Sequence, residues 1–99
     1  MRIIAFRTIR EFFERPEYSD SEVSLRAWYY DVKAADWKNS NELKRQYPNA
    51  SIVGGGRVVF NIKGNDYRLV VAIDYEFQAL FIRFIGTHKQ YDSVDVKTI

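Results

Sequence analysis

The side chains best suited to chemistry lie between Arg57 and Asp92, a stretch reading RVVFNIKGNDYRLVVAIDYEFQALFIRFIGTHKQYD. It holds Arg57, Lys63, Arg68, Arg83 and Lys89, together with Asn61, Tyr91 and His88, the only histidine of the chain. A free imidazole titrates near about 6.5, so it exchanges protons around neutrality. Guanidinium and ammonium groups stabilise developing negative charge, and a phenol donates a hydrogen bond. Such a set suits holding a phosphodiester, and cleaving RNA by attack of its own 2′-OH. That reaction needs a base for the hydroxyl proton, cations for the charge on the phosphorus oxygens, and an acid for the departing 5′ oxygen. In this reading His88 carries protons, Arg68, Arg83 and Lys63 stabilise charge, and Tyr91 donates or positions. The same residues also read as a solvated basic strand face and a capping histidine; on spacing alone, binding of a polyanion or protein ranks ahead of catalysis.

The elements that must position these groups are three alternating runs, Arg57 to Ile62, Tyr67 to Asp74 and Ala79 to Ile85, which read as an antiparallel meander. Gly64-Asn65 is a two-residue hairpin signal of the type II′ kind, placing Lys63 opposite Asp66 and Asn61 opposite Arg68. Alternation then sends Val58, Phe60, Ile62, Tyr67, Leu69, Val71 and Ile73 to an apolar face, and Arg57, Asn61, Lys63 and Arg68 to a cationic one. A two- or four-residue connection around Tyr75 to Gln78 puts Arg83 on the face of Arg68, with Leu80, Ile82 and Phe84 on the apolar side. A three- or five-residue connection breaks that grouping. Thr87-His88-Lys89-Gln90 is a capping-box pattern, so one helical turn is expected there, with His88 and Tyr91 on one side and free backbone N–H groups offering an anion seat. Strict alternation through the last strand would carry His88 to the apolar side, so the chain must turn at Gly86 or Thr87.

Upstream, Arg2 to Phe6 reads as a first strand beside the meander, and Thr8 to Arg15 as a short helix stopped by Pro16. Ser19 to Glu22 is a second capping box, opening an amphipathic helix to about Ala35 with Leu25, Trp28, Tyr29 and Val32 on its inner side. Trp28 is therefore a core residue. A short helix near Asn41 to Arg45 turns Leu43 inward, and Ser51 to Val53 is either a brief strand or an approach to Gly54-Gly55-Gly56. That triple glycine lacks the Lys-Ser/Thr of a phosphate loop. The fold class is α+β: a small antiparallel sheet, N-terminal strand plus meander, packed on one face by the N-terminal helices.

The chain has 99 residues, 46% of them hydrophobic and 16% aromatic, which fits one globular domain over residues 1–99. Without cysteine, and with a single histidine, it has neither a disulfide framework nor the ligands for a dedicated metal centre, and no cofactor is expected. No apolar run approaches the roughly 20 residues of a bilayer span, so no membrane partner is expected, and the charged amino terminus argues for a cytoplasmic protein. A net charge of +2 says little in total; its placement matters more.

Val59-Phe60-Asn61-Ile62, Gly64-Asn65, Tyr67-Arg68-Leu69-Val70 and Thr87-His88-Lys89-Gln90-Tyr91-Asp92, in this order and spacing, resemble the HigB family of bacterial toxins within the RelE-like superfamily. Trp37, Leu43-Lys44 and Tyr47-Pro48 extend the resemblance more loosely. It implies a toxin of a type II toxin–antitoxin pair that cuts mRNA in the ribosomal A site without a metal and is silenced by a HigA-like helix-turn-helix antitoxin. Arg68 matches the strand arginine of RelE-like sites, His88 and Tyr91 the Thr-His-x-x-Tyr-Asp ending, and Lys63 and Arg83 follow less closely. RNA contacts would come from Arg57, Asn61, Lys63, Arg68, Arg83 and Lys89. The superfamily also includes ParE-type gyrase poisons, so fold alone leaves the target open, while the Thr-His-x-x-Tyr ending favours the nuclease branch. The rivals are a non-catalytic RNA- or protein-binding module and a gyrase-directed toxin.

Overall fold

The alternating runs form the sheet that the sequence calls for. The computed structural model describes residues 1–99. Its strands are β1 (Arg2–Ile4), β2 (Ser51–Val53), β3 (Arg57–Ile62), β4 (Tyr67–Asp74) and β5 (Ala79–Thr87), in a five-stranded sheet ordered β1-β5-β4-β3-β2. The β3-β4-β5 meander is antiparallel, with Asn61 facing Arg68 and Asp74 facing Ala79 across a four-residue loop. One addition and one change of direction set it apart from the expected sheet. Ser51–Val53 pairs antiparallel with β3 as a strand in its own right. The first strand lies parallel to β5, which makes the sheet mixed rather than antiparallel; the helices between them supply the long crossover that parallel pairing needs.

The hairpin turn differs from the expected two-residue form. Lys63 itself adopts φ 51 and Gly64 φ 64, and the Asp66 N–H donates to the Lys63 carbonyl at 3.2 Å. Pairing therefore stops at Ile62–Tyr67. A left-handed residue cannot continue a strand, so Lys63 leaves the sheet one position early.

The helical layer comprises α1 (Phe6–Phe13), a 3-10 helix (Pro16–Ser21), α2 (Glu22–Ala34) and α3 (Ser40–Gln46). α1 starts and ends two residues earlier than the expected Thr8 to Arg15, and Pro16 opens the 3-10 helix, where its missing N–H is harmless. Ile9, Phe12 and Phe13 of α1 and Leu25, Trp28 and Val32 of α2 bury against Val58, Phe60, Ile62, Leu69, Val71 and Leu80. The expected Ser19 capping box does not form. Ser19 and Ser21 hydroxyls instead donate back to the carbonyls of Pro16 and Tyr18, because the 3-10 helix runs straight into α2 and leaves no free helix start to cap. At α3 the cap is real: Asn39 accepts from the Glu42 N–H, and Leu43 is fully buried. No helix is long and apolar enough to cross a membrane.

A bulge breaks the alternation of β5. Val71 faces Ile82 but Val70 faces Phe84, leaving Arg83 as the extra residue. Leu80 and Ile82 face the helices as expected; Phe84 does not. It sits across from Val70 on the far side of the sheet, and Ile85, opposite Leu69, takes the inward place. That far face is not bare either. Val59 and Val70 are 2% and 0% exposed although they face away from the helices. The C-terminal residues approach this face: Val94, Val96 and Ile99 are half-buried, and Arg57 Nε donates to the Ile99 carbonyl at 2.8 Å.

Candidate functional site

With its middle covered, the outer face stays open mainly at the end where β3, β4 and β5 meet the final helix, α4 (His88–Tyr91). A cross-strand row runs there from Asn61 through Arg68 to Gly86. Arg68 lies with its guanidinium carbon 5.8 Å from the Tyr91 ring centroid, and its Nη1 donates to the Asn65 carbonyl at 3.3 Å. The ring and the carbonyl fix the group's plane, while several of its five N–H donors stay free for an anion. Glycine opposite Arg68 keeps the row low. A Cβ on Gly86 would stand 2.6 Å from Phe84 Cζ and 2.7 Å from Gln90 Oε1.

Four residues cannot hold a helix by themselves, so α4 depends on its ends. The capping box forms as the sequence predicts: Thr87 Oγ1 accepts from the Gln90 N–H at 3.1 Å and Gln90 Oε1 accepts from the Thr87 N–H at 2.9 Å. The Gln90 amide also donates to the Tyr18 hydroxyl at 3.0 Å, tying α4 to the helical layer. The expected anion seat is not present. The His88 N–H is already given to the Asp66 carbonyl at 3.2 Å and the Gln90 N–H to Thr87, so the groups that would greet an anion are largely taken. Thr87→Ala removes the cap and costs about 1 kcal/mol, seen as a lower denaturation midpoint with an unchanged slope.

The His88 ring is half exposed and reaches solvent, with its Nε2 3.6 Å from Asp92 Oδ1. Asp92 is the neighbour that the candidate set omitted, although an i, i+4 spacing across a helical turn is its signal. The bulge at Arg83 supplies the change of phase. With Phe84 and Gly86 outward and Ile85 inward, the chain enters Thr87 ready to turn, and the imidazole escapes the core.

The remaining candidates divide. Arg83 is exposed, its guanidinium carbon 5.6 Å from the ring of Phe81, which faces outward; it thus shares the outer face with Arg68. Lys89 is exposed on α4, and Asn61 is exposed opposite Arg68. Arg57 stands at the other end of the sheet, donating to the Gly55 and Ile99 carbonyls. Lys63 was expected beside Arg68 and is found elsewhere. Its left-handed backbone turns it toward the helical layer, where Nζ lies 2.7 Å from Asp20 Oδ2 and 3.6 Å from Asp66 Oδ2.

Asp20 also accepts the hydroxyl of Tyr67, so one carboxylate of the 3-10 helix holds both ends of the β3–β4 turn. Hydrogen bonds from Lys63 and then Tyr67 hold the Asp20 carboxyl below the usual carboxylate range. The Asp20 hydrogen bond raises Lys63, and burial together with that same carboxylate pushes the Tyr67 phenol up to about 12. The signs agree. The Asp20 contribution is present above the ordinary carboxylate pKa and lost as the pH falls through the lowered value. The Lys63 contribution is present below the ordinary ammonium pKa and lost as the pH rises through the raised one.

A family model described as HigB toxin, the RelE-like toxic component of a toxin-antitoxin system, matches residues 21–94. The chain is 28% identical over 94 residues to the mRNA interferase toxin HigB of Escherichia coli (strain K12), covering 93% of this chain and 88% of that one. The mRNA interferase HigB of Shigella flexneri gives the same figures. The mRNA interferase HigB of Escherichia coli O6:H1 is 22% identical over 80 residues, covering 79% of this chain and 78% of that one. The chain belongs to the HigB toxin family, the RelE-like toxic components of toxin–antitoxin systems.

Proposed function

We propose that this protein is an mRNA interferase, an endoribonuclease that cuts transcripts in the ribosomal A site and is neutralised by a HigA-like helix-turn-helix antitoxin. It acts in the cytoplasm, as one toxin domain over residues 1–99. The observation that carries the reading is the end of the outer face: Arg68 braced on Tyr91, with the exposed ring of His88 three residues before that tyrosine on the same short helix. The relatives' description as mRNA interferases supports the substrate class.

The 2′ oxygen of the substrate attacks the adjacent phosphorus, forming the O2′–P bond as the P–O5′ bond breaks. One proton leaves the 2′-OH and one reaches the 5′ oxygen. His88 handles these protons, with Tyr91 as a hydrogen-bond donor and brace for Arg68. The Arg68 guanidinium balances the charge on the non-bridging oxygens, where fixed donors act most strongly. Arg83, Lys89 and Asn61 line the approach of the RNA backbone. Lys63 and Arg57, tied to carboxylates and carbonyls, are left out of this role.

The small number of free cations at this end of the sheet supports ribosome dependence. Arg68, Arg83 and Lys89 give free RNA only weak, salt-sensitive affinity. The ribosome supplies the missing alignment of hydroxyl and phosphorus.

The test is purified protein added to mRNA on programmed ribosomes and to the same mRNA alone, with cuts mapped by primer extension. Cleavage is expected on ribosomes and far slower on naked RNA. Arg68→Ala should lower it by about 10²- to 10³-fold, the usual effect of removing one such donor. Equal cleavage of naked RNA overturns ribosome dependence. No cleavage in either arm, with replication stopping before translation on induction, overturns the nuclease reading in favour of a gyrase target.

A further inference from the structure

We propose that Asp20 is a positioning residue for the candidate site: its carboxylate fixes the β3–β4 turn through Lys63 and Tyr67, and that turn holds the helix bearing His88. The proposal rests on the reading of His88 as proton carrier. It gives Lys63 a part that sequence spacing did not suggest, as one arm of a clasp rather than a cation facing the substrate.

The linkage can be followed atom by atom. The backbone that needs holding is the turn at residues 63–66, where Lys63 and Gly64 are both left-handed and residues 63–66 are exposed. Its Asp66 carbonyl accepts the His88 N–H at 3.2 Å, so a shift of the turn moves the first residue of α4. The Asn65 carbonyl accepts from Arg68 Nη1, so the same shift moves the guanidinium. The helical layer stops this movement at one point, Asp20, which takes Lys63 Nζ on Oδ2 and the Tyr67 hydroxyl on Oδ1.

The anchor itself is firm. The Ser21 side chain next to Asp20 is fully buried and donates to the Tyr18 carbonyl at 2.7 Å. The Tyr18 ring stacks on Phe12 at 4.3 Å and 5° between planes. The Tyr18 hydroxyl also receives the Gln90 amide of α4. One short 3-10 helix therefore grips both parts of the site, the hairpin through Asp20 and α4 through Tyr18.

The plain alternative is an exposed ion pair of little consequence, since Lys63 and Asp20 are 43% and 50% exposed. Tyr67 separates the two readings. It is 5% exposed, it belongs to the core, and its hydroxyl comes out of that core to meet the same carboxylate. An incidental surface pair has no such third member.

The experiment uses the full chain and two readouts. The first is amide hydrogen exchange at His88 together with the proton NMR titration of its ring, which is unambiguous because the chain has one histidine. The second is kcat and KM for cleavage on programmed ribosomes. Asp20→Ala and Lys63→Met are each expected to speed His88 amide exchange by about tenfold, as local opening becomes easier. They should lower kcat by about tenfold with KM within about twofold, the mark of misplaced catalytic groups rather than lost binding. The double variant should be no worse than Asp20→Ala alone, because that substitution already removes the Lys63 contact along with the Tyr67 one. Asp20→Glu should restore most of both signals.

Tyr67→Phe, which keeps the core ring and removes only the hydroxyl, should give a smaller loss in the same direction and decides the matter if Asp20→Ala fails to fold. Wild-type exchange at His88 and wild-type kcat in these variants overturn the proposal while leaving the nuclease reading intact. A wild-type chain that never cleaves overturns the nuclease reading instead, and the exchange measurement still decides whether Asp20 holds the turn.

Discussion

His88→Ala lowers cleavage of ribosome-bound mRNA by about 10²- to 10⁴-fold, the usual contribution of one general acid–base group. The variant should keep its fold. The ring is half exposed and its one close polar neighbour is Asp92, so its loss from the surface shifts stability by no more than about 0.5 kcal/mol. The backbone bond that fixes the start of α4, His88 N–H to Asp66 carbonyl, survives the substitution. Quantified electrophoresis of the RNA products at saturating programmed ribosomes measures the effect. An unimpaired variant would take His88 out of the mechanism and leave Arg68 and Tyr91 as a binding pair, which is the non-catalytic module in another form.

The second large effect concerns stability rather than turnover. Phe60→Ala removes a ring that is 1% exposed and meets Trp28 at 5.4 Å and Tyr47 at 5.1 Å between centroids, edge to face in both cases. Such truncations cost about 3–5 kcal/mol, because the lost burial is compounded by a cavity that its neighbours only partly refill. Phe60 joins β3 to α2 and to the start of the loop after α3, so those neighbours belong to separate elements and cannot close together. Since small domains are stable by only about 5–15 kcal/mol, the variant is expected to melt far below the wild type, or to be partly unfolded at growth temperature. Calorimetry or urea denaturation reads this directly; a loss under about 1 kcal/mol would mean the core repacks around the gap.

These two residues also show where the sequence was legible. Phe60 was placed in the core by alternation alone, and Asn61 opposite Arg68 by the Gly64 turn; period and turn chemistry are local properties, so the meander register followed. Leu43, Trp28 and the Thr87 cap were readable for the same reason. Three features were not, and each is a long-range effect. Lys63 was assigned to the outer face because strands alternate, but its partner Asp20 is forty-three positions away and draws it to the helical side. The parallel pairing of β1 depends on how the helices return the chain, which no local pattern records. The burial of the outer valines, Val59 and Val70, is likewise not written in β3 or β4, where alternation would leave that face to solvent.

The site residues divide along the same line. Arg68 and Tyr91 come together as their positions suggested, and His88 looks outward. The path by which His88 gets there was hidden, because a bulge has no composition of its own when the extra residue is an arginine between two hydrophobics.

That supernumerary arginine also governs which genetic lesions the toxin can survive. Exchanging Arg83 for another side chain keeps the count of residues in β5, so the phase of everything after it persists. Deleting it would close the bulge and leave that phase unchanged: Phe84 would follow Ile82 directly and still point outward, Ile85 would stay inward, and the imidazole would be delivered to the same side of the sheet. A single-codon deletion there thus costs the guanidinium and the local bend but not the register, whereas the same deletion further along β5 would turn over every side chain beyond it.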